Sequence, residues 1–237
     1  MTDTWHTSVR FRWEPIGQRP VSFRRRPTWK ISMTLVEDIK SKVERLTGYQ
    51  RPSQDQLAKL VRPSRPITHR FRDDGFVPNH PRWPFVLYRN ALSLPRSLDP
   101  AAVWEALFES NRWGDMWRGE IYDYLHYHSR IHEVLGIARG SATVRIGGRK
   151  GRTLTVKAGD ALIIPAGTGH QALKASPAFM AVGAYPLRGT YDECAPTQED
   201  YAKARKTVPR VPRPKTDPVF GPRGELLKLW ERANPKR

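Results

Sequence analysis

The sequence predicts a mainly β chain, built around one antiparallel sandwich or barrel with a few flanking helices. Between Gly119 and Tyr185, strand-like stretches succeed one another at 121–128, 132–138, 141–147, 153–157, 161–164, 170–174 and 178–185. Gly147-Gly148, Ala158-Gly159-Asp160 and Ala166-Gly167 supply turns between several of them. Many short strands at this spacing imply a sandwich or barrel. No stretch repeats another, so one barrel is expected rather than two in tandem.

Each element has a local reason. Residues 1–32 show no sustained periodicity and hold the Arg24-Arg25-Arg26 run, so they read as a basic, irregular leader. Their Arg-rich, acid-poor character resembles an organellar transit segment, and Met33 is an alternative natural start. Over 34–47, Leu35, Val36, Ile39, Val43 and Leu46 share one helical face, and Gly48 supplies the stop. Ser53 followed by Gln56 forms a capping box for a short helix through Leu60. Pro63 and Pro66 then close the helical extension assigned to 33–66.

The barrel is assigned to 67–197. Asp73-Asp74-Gly75 and Pro78-Asn79 are turn signals, and Phe85–Tyr88 reads as a strand. Asp99 caps a helix that begins at Pro100, buries Val103, Trp104, Leu107 and Phe108, and ends at Trp113-Gly114. The tail, 198–237, holds a helical patch at 198–206, a proline-rich stretch from Pro209 to Pro218 and an amphipathic turn at Leu226–Trp230. Its Leu227 and Trp230 need burial, so the tail is expected to dock back on the barrel.

Composition narrows the function classes. Hydrophobic residues make up 38% and charged residues 27%, which fits a globular centre with polar extensions. No apolar run approaches the roughly 18 residues that cross a bilayer, and the N-terminus has no secretory h-region. A cytoplasmic location is therefore expected, with organellar targeting by the leader as the variant. Cys194 is the only cysteine, which excludes an intrachain disulfide. The net charge of +18 gathers towards the ends, in Arg10, Arg12, Arg19, Arg24–Arg26 and Lys30, and again from Lys203 to Lys215. These read as solvated basic tails. Zinc-finger spacing, an RNP-type aromatic motif and a helix-turn-helix pattern are all missing, so specific nucleic-acid recognition is not expected.

The stretch with the most chemistry runs from Tyr122 to Gly140. Side chains two apart on a strand share a face, so His126 and His128 project together. Glu133 opens the next strand after a short turn at Ser129-Arg130, which can bring its carboxylate beside the imidazoles. His170 follows a second turn, Pro165-Ala166-Gly167. Three neutral imidazoles with one carboxylate suit a divalent transition ion (iron, manganese, nickel, copper or zinc). His132 should point to the opposite face, as a supporting or surface residue. His6, His69 and His80 lack a partner at ligand spacing. Tyr122 and Tyr124 share parity with the His pair and should face the same cavity. Tyr185 and Phe179 are placed on its wall from the last strand, and Lys174 by parity with His170. For the tyrosines, core packing competes with a role in donating a proton or hydrogen bond to a bound substrate, Tyr124 being the catalytic candidate.

The spacing resembles the two cupin motifs. The first reads His-x-His, four residues, Glu, six residues, Gly, met by His126, His128, Glu133 and Gly140. The second reads Gly, five residues, Pro-x-Gly, two residues, His, met by Gly159, Pro165, Gly167 and His170. The opening glycine of the first motif would fall at Glu120, beside Gly119, and the asparagine that closes the second at Lys174; neither departure touches a ligand. Further strings, Phe-Arg-Asp-Asp-Gly (71–75), Pro-Asn-His-Pro (78–81), Ile-Tyr-Asp-Tyr (121–124), Pro-Ala-Gly-Thr-Gly-His (165–170) and Gly-Ala-Tyr-Pro (183–186), resemble the YjlB-like branch of single-domain cupins. Leu-Thr-Gly-Tyr-Gln-Arg-Pro (46–52) is similar to an extension in fungal members of that branch. The resemblance covers roughly Met33 to Trp230. It implies a double-stranded β-helix, or jelly-roll, barrel with a metal site, and leaves the substrate open. Cupins commonly pair through sheet edges and terminal segments, so a homodimer is an expectation of the same kind.

Three function classes follow. A metalloenzyme would use the four ligands and two open positions on an octahedral ion for dioxygenation, isomerisation, epimerisation or decarboxylation of a small molecule. A non-catalytic module would hold a structural metal or a small ligand, because a fold does not assign chemistry. A basic interaction protein would use its tails.

Overall fold

The computed structural model describes residues 51–232. The basic leader and the helix expected over 34–47 lie outside the described residues. The element order begins with α1 (Gln54–Leu60), β1 (Pro66–His69), β2 (Phe85–Tyr88), α2 (Pro100–Ser110) and β3 (Trp113–Gly119). It continues through β4 (Glu133–Arg139), β5 (Ser141–Ile146), β6 (Arg152–Lys157), β7 (Ala161–Ile164), β8 (His170–Ala175) and β9 (Met180–Pro186). The chain then forms α3 (Gln198–Thr207), a 3₁₀ turn (Val208–Arg210) and α4 (Glu225–Arg232).

All strand pairs are antiparallel, in a six-stranded sheet ordered β1-β2-β7-β4-β9-β3 and a three-stranded sheet ordered β6-β5-β8. Alternation along the strands sorts the apolar residues into two layers. Phe85, Leu87, Leu135, Ile137, Leu162 and Ile164 meet Val144, Ile146 and Val156 of the smaller sheet inside the barrel. Val86, Tyr88, Val134, Ile163 and Val182 turn outward under α2 and the C-terminal helix, against Trp104, Phe108 and Trp230. Central strands covered on both faces explain why β2 and β7 read as unbroken apolar runs.

The expected helix starts hold. Ser53 and Gln56 form the reciprocal capping box, and the Asp99 side chain accepts the Ala101 N–H, with Pro100 in the first turn. At the other end, Leu226 and Trp230 are fully buried, with Leu226 in the place expected of Leu227. Among the described residues, no helix is long and apolar enough to cross a membrane.

One strand lies elsewhere than the alternation predicts. The run of strands expected after Gly119 begins instead with β3 at Trp113, and 121–128 form no continuous strand. The register of β3 on β9 shifts between Gly114 and Trp117, and Asp115 sits at φ 50, so a bulge hides the alternation. The 121–128 segment does run beside β8, but only intermittently. The Ala172 N–H reaches the Tyr122 carbonyl at 2.8 Å, and His126 and His170 exchange backbone bonds at 3.2 and 2.9 Å.

Candidate metal centre

Strand parity places Glu133 on the inner face of β4 with Leu135 and Ile137, and His170 on the inner face of β8 with Ala172. His126 is held beside His170 by their two-way backbone bridge. Asp192 braces the turn after His128: its Oδ1 accepts the N–H groups of Ser129 and Arg130 at 2.9 and 3.0 Å, and its Oδ2 the Ser129 hydroxyl at 2.6 Å. The Gly167 N–H donates to the His128 carbonyl at 2.7 Å, so the two motifs are stitched together directly. Gly167 adopts φ 80, a left-handed conformation that costs a side-chain-bearing residue free energy.

His126, His128 and His170 are buried, and one ligand atom from each lies within 4.8 Å of the others. Ring centroids are 4.2 Å apart for His126 and His170 and 5.6 Å for each pair containing His128. Every Nδ1 faces a backbone carbonyl: Tyr124 at 3.2 Å for His126, Asp192 at 2.5 Å for His128 and Thr168 at 3.2 Å for His170. A carbonyl only accepts, so Nδ1 carries the proton in each neutral ring and the Nε2 lone pair is left for a cation. The Glu133 Oε2 lies 3.1 Å from His170 Nε2 and 3.5 Å from His128 Nε2.

The electrostatics match a cation site. Burial, reinforced by His170, pushes the His126 pKa down to about 3, so that ring is neutral. For His128 burial opposes the charged form, but the Glu133 carboxylate outweighs it and raises the pKa. Burial likewise opposes ionisation of Glu133, yet His128 and then His170 hold its pKa well below the usual carboxylate range. With the rings in the Nδ1–H tautomer, Glu133 Oε2 is a buried carboxylate oxygen without a donor. Three inward imidazole lone pairs beside an unpartnered carboxylate oxygen fit a divalent metal ion.

The other carboxylate oxygen is held from behind. Tyr185 donates its hydroxyl to Glu133 Oε1 at 3.0 Å and accepts the indole N–H of Trp117 at 3.0 Å. Trp117 lies so close over Gly183 that a Cβ there would meet the indole at 2.1 Å. Tyr185→Phe removes the bond to Glu133, together with the one accepted from Trp117, while keeping the ring. Were Glu133 a metal ligand, loss of its partner would cost roughly 10–100-fold in metal affinity, and that drop is the expected result of a metal-chelator competition titration. An unchanged affinity would show that Glu133 does not depend on Tyr185.

A cavity of about 530 Å³ opens beside these donors, walled by Trp117, Ile121 and Leu135, with Tyr185 inside and Tyr122 and Tyr191 at its mouth. Tyr122 is half exposed and stacks on Tyr124 with centroids 4.8 Å apart. Tyr124 does not line the cavity; it forms the outer rim, with its hydroxyl donated to Glu193 at 2.9 Å. Its segment is not a regular strand, so strand parity does not carry its ring inward. Lys174 is exposed and outside the cavity, because the β5–β8 register shifts between Thr143 and Val144 and breaks the parity with His170. Phe179 is buried in the barrel core and likewise absent from the lining.

His132 does face away from the three imidazoles and Glu133, but it is buried rather than at the surface. Its Nδ1 accepts the Ala166 N–H at 2.9 Å and its Nε2–H donates to the Pro212 carbonyl at 3.1 Å. Sequence reasoning missed Trp117, Tyr191 and Asp192. Trp117 sits on the strand hidden by the bulge, and the other two act through tertiary contacts with no local signal.

Comparison with known proteins identifies the family. A family model described as the cupin domain matches residues 113–182. An uncharacterised protein of Bacillus subtilis (strain 168), YjlB, is 39% identical over 163 residues, covering 69% of this chain and 95% of the relative. Among solved structures, a double-stranded β-helix protein from Klebsiella pneumoniae is 17% identical over 62% of this chain and 99% of its own, with a TM-score of 0.29. The Bacillus subtilis oxalate decarboxylase, with Mn(II) centres, is 21% identical over 34% of this chain, which spans 22% of that enzyme, with a TM-score of 0.29. The similarity to YjlB runs over nearly the whole of that relative, and the chain therefore belongs to the YjlB-like branch of the cupins.

Proposed function

We propose that this protein is a metal-dependent enzyme that binds one divalent transition ion through His126, His128, His170 and Glu133 and converts a small, uncharged, ring-shaped molecule in the adjoining cavity. One observation carries the reading: three Nε2 atoms and an unpartnered Glu133 oxygen converge at a cavity of about 530 Å³. A purely structural ion needs no such space beside it.

The metal would supply Lewis acidity or electron transfer at the substrate's oxygen atoms. The chain's own residues do the rest. Tyr185 and Trp117 hold Glu133 in place, and the apolar wall of Ile121 and Leu135 keeps water from the reacting atoms. Tyr122 and Tyr191 offer ring faces at the mouth. Arg118 lines the cavity, but its guanidinium is held bidentately by Glu105 at 2.6 and 2.7 Å and by Asp99 at 2.7 Å. Asp115 and Glu120 add negative charge nearby. That balance disfavours a dicarboxylate and favours a neutral, oxygen-bearing ring.

Dioxygen uptake and product analysis with the iron- and manganese-loaded protein, on monocyclic hydroxyaromatics and hydroxyketones against oxalate, test the reading. Turnover of the neutral rings is expected, with oxygen consumption separating oxygenation from isomerisation. A protein that takes up metal but turns over only oxalate would overturn the substrate class. One that holds no metal at the site would overturn the whole reading.

A further inference from the structure

Two tyrosine rings flank the mouth of the cavity beside the metal centre. Tyr122 stands next to His126, with ring centroids 5.2 Å apart, and Tyr191 next to His128, at 5.0 Å. Both rings are about half exposed, so each offers solvent a face that a planar ligand could cover.

One side chain ties the two sides together. Tyr124 lies nearly flat on Tyr122, at an interplanar angle of 15°, and donates its hydroxyl to Glu193 Oε1 at 2.9 Å. Tyr191 donates its own hydroxyl to the other oxygen, Oε2, at 3.1 Å. The carboxylate therefore spans from the Tyr122–Tyr124 stack to the Tyr191 ring. Neither Glu193 nor Tyr124 lines the cavity itself.

The backbone on both sides is fixed by other bonds. Asp192, between Tyr191 and Glu193, turns the other way and accepts the N–H groups of Ser129 and Arg130. Cys194 exchanges backbone bonds with Tyr127 at 3.1 and 2.9 Å. On the opposite side, the Tyr124 carbonyl faces His126 Nδ1 at 3.2 Å. What is left to adjust is the placement of the phenol rings, and Glu193 holds one from each side through charge-assisted hydrogen bonds.

From this arrangement we infer that Glu193, together with Tyr124, sets the width of the mouth and restricts the site to a flat ring. The inference rests on the ring-shaped substrate of the proposed function. Both are positioning residues: they act through Tyr191 and Tyr122, whose faces meet the ligand. A thicker molecule must part a tyrosine from Glu193, and forfeiting one hydrogen bond weakens its binding by about 2–10-fold.

Titrating the iron(III)-loaded full chain with catechol and with 4-tert-butylcatechol tests this. Both present the same pair of hydroxyls, and the second adds a group thicker than the ring; binding is read from the charge-transfer absorption that a catechol gives on ferric ion. Tyr124→Phe keeps the stack on Tyr122 and releases Glu193 on one side. It should raise the affinity of the tert-butyl diol relative to catechol by about 2–10-fold. Glu193→Ala releases both sides and should raise the ratio by at least as much. Iron content by elemental analysis should be unchanged in both. Tyr201→Phe, which removes a hydroxyl bonded to Asp73 away from this cavity, should leave the ratio as it was. An unchanged ratio in Tyr124→Phe or in Glu193→Ala would overturn the inference. So would an equal loss of both diols, the result of a bridge that only supports the loop. A chain that holds iron but neither diol would overturn the ring-shaped substrate, and one that holds no iron would overturn the metal centre; the inference falls with either.

Discussion

Replacing His170 with alanine is expected to empty the metal centre and leave the barrel standing. The side chain contributes one of three converging imidazoles and the closer of the two imidazole contacts to Glu133, at 3.1 Å against 3.5 Å for His128. Even a partner behind a ligand is worth roughly 10–100-fold in affinity, so removal of the ligand itself should cost at least about 100-fold. The fold has little stake in this ring. The links from His170 to His126 and to Ile146 are made by the backbone, and alanine keeps them. The expected result is loss of bound metal by elemental analysis with an unchanged far-ultraviolet dichroism spectrum and cooperative unfolding. Full metal stoichiometry in the variant would refute the ligand assignment. Collapse of the fold would instead mean that the centre is structural.

How much of this was legible beforehand depends on whether a residue acts through local geometry. Helix starts at Ser53 and Asp99 follow from side-chain bonds to the next few residues, and they were read correctly. His126, His128, Glu133 and His170 come together although 121–128 are not a regular strand, because the bridges His126–His170 and Tyr127–Cys194 keep the alternation locally and two turns deliver the other two residues. The same period misled wherever the ladder is irregular. The bulge at Asp115 hid β3, and with it Trp117. A register shift on β8 turned Lys174 outward, and the broken strand around Tyr122 left Tyr124 on the rim. Asp192 lies 63 residues from the Ser129 it braces, a contact that no local pattern announces. Periodicity thus predicts direction only as far as the hydrogen-bond ladder stays regular.

Trp230→Ala is expected to be the most destabilising single change outside the metal centre. The indole is 0% exposed, stacks on Trp83 with centroids 4.9 Å apart and lies 4.9 Å from His132. Its Nε1–H donates to the Pro84 carbonyl at 3.0 Å. Truncating a buried tryptophan costs about 3–5 kcal/mol, which for a chain of this size corresponds to a fall in Tm of roughly 6–20 °C. Trp230→Phe keeps most of the packing and forfeits the hydrogen bond, so it should cost nearer ~1 kcal/mol. Urea unfolding followed by fluorescence and circular dichroism measures both. A loss below about 1 kcal/mol for Trp230→Ala would show that α4 is not needed to close the outer layer. The effect should also reach the metal. Trp230 and Trp83 pack on His132, whose Nδ1 accepts the Ala166 N–H in the turn that delivers His170. Loosening that column leaves every ligand in the chain but frees the turn behind one of them. Metal affinity in Trp230→Ala should therefore fall well short of the His170→Ala loss, yet more than in Trp230→Phe.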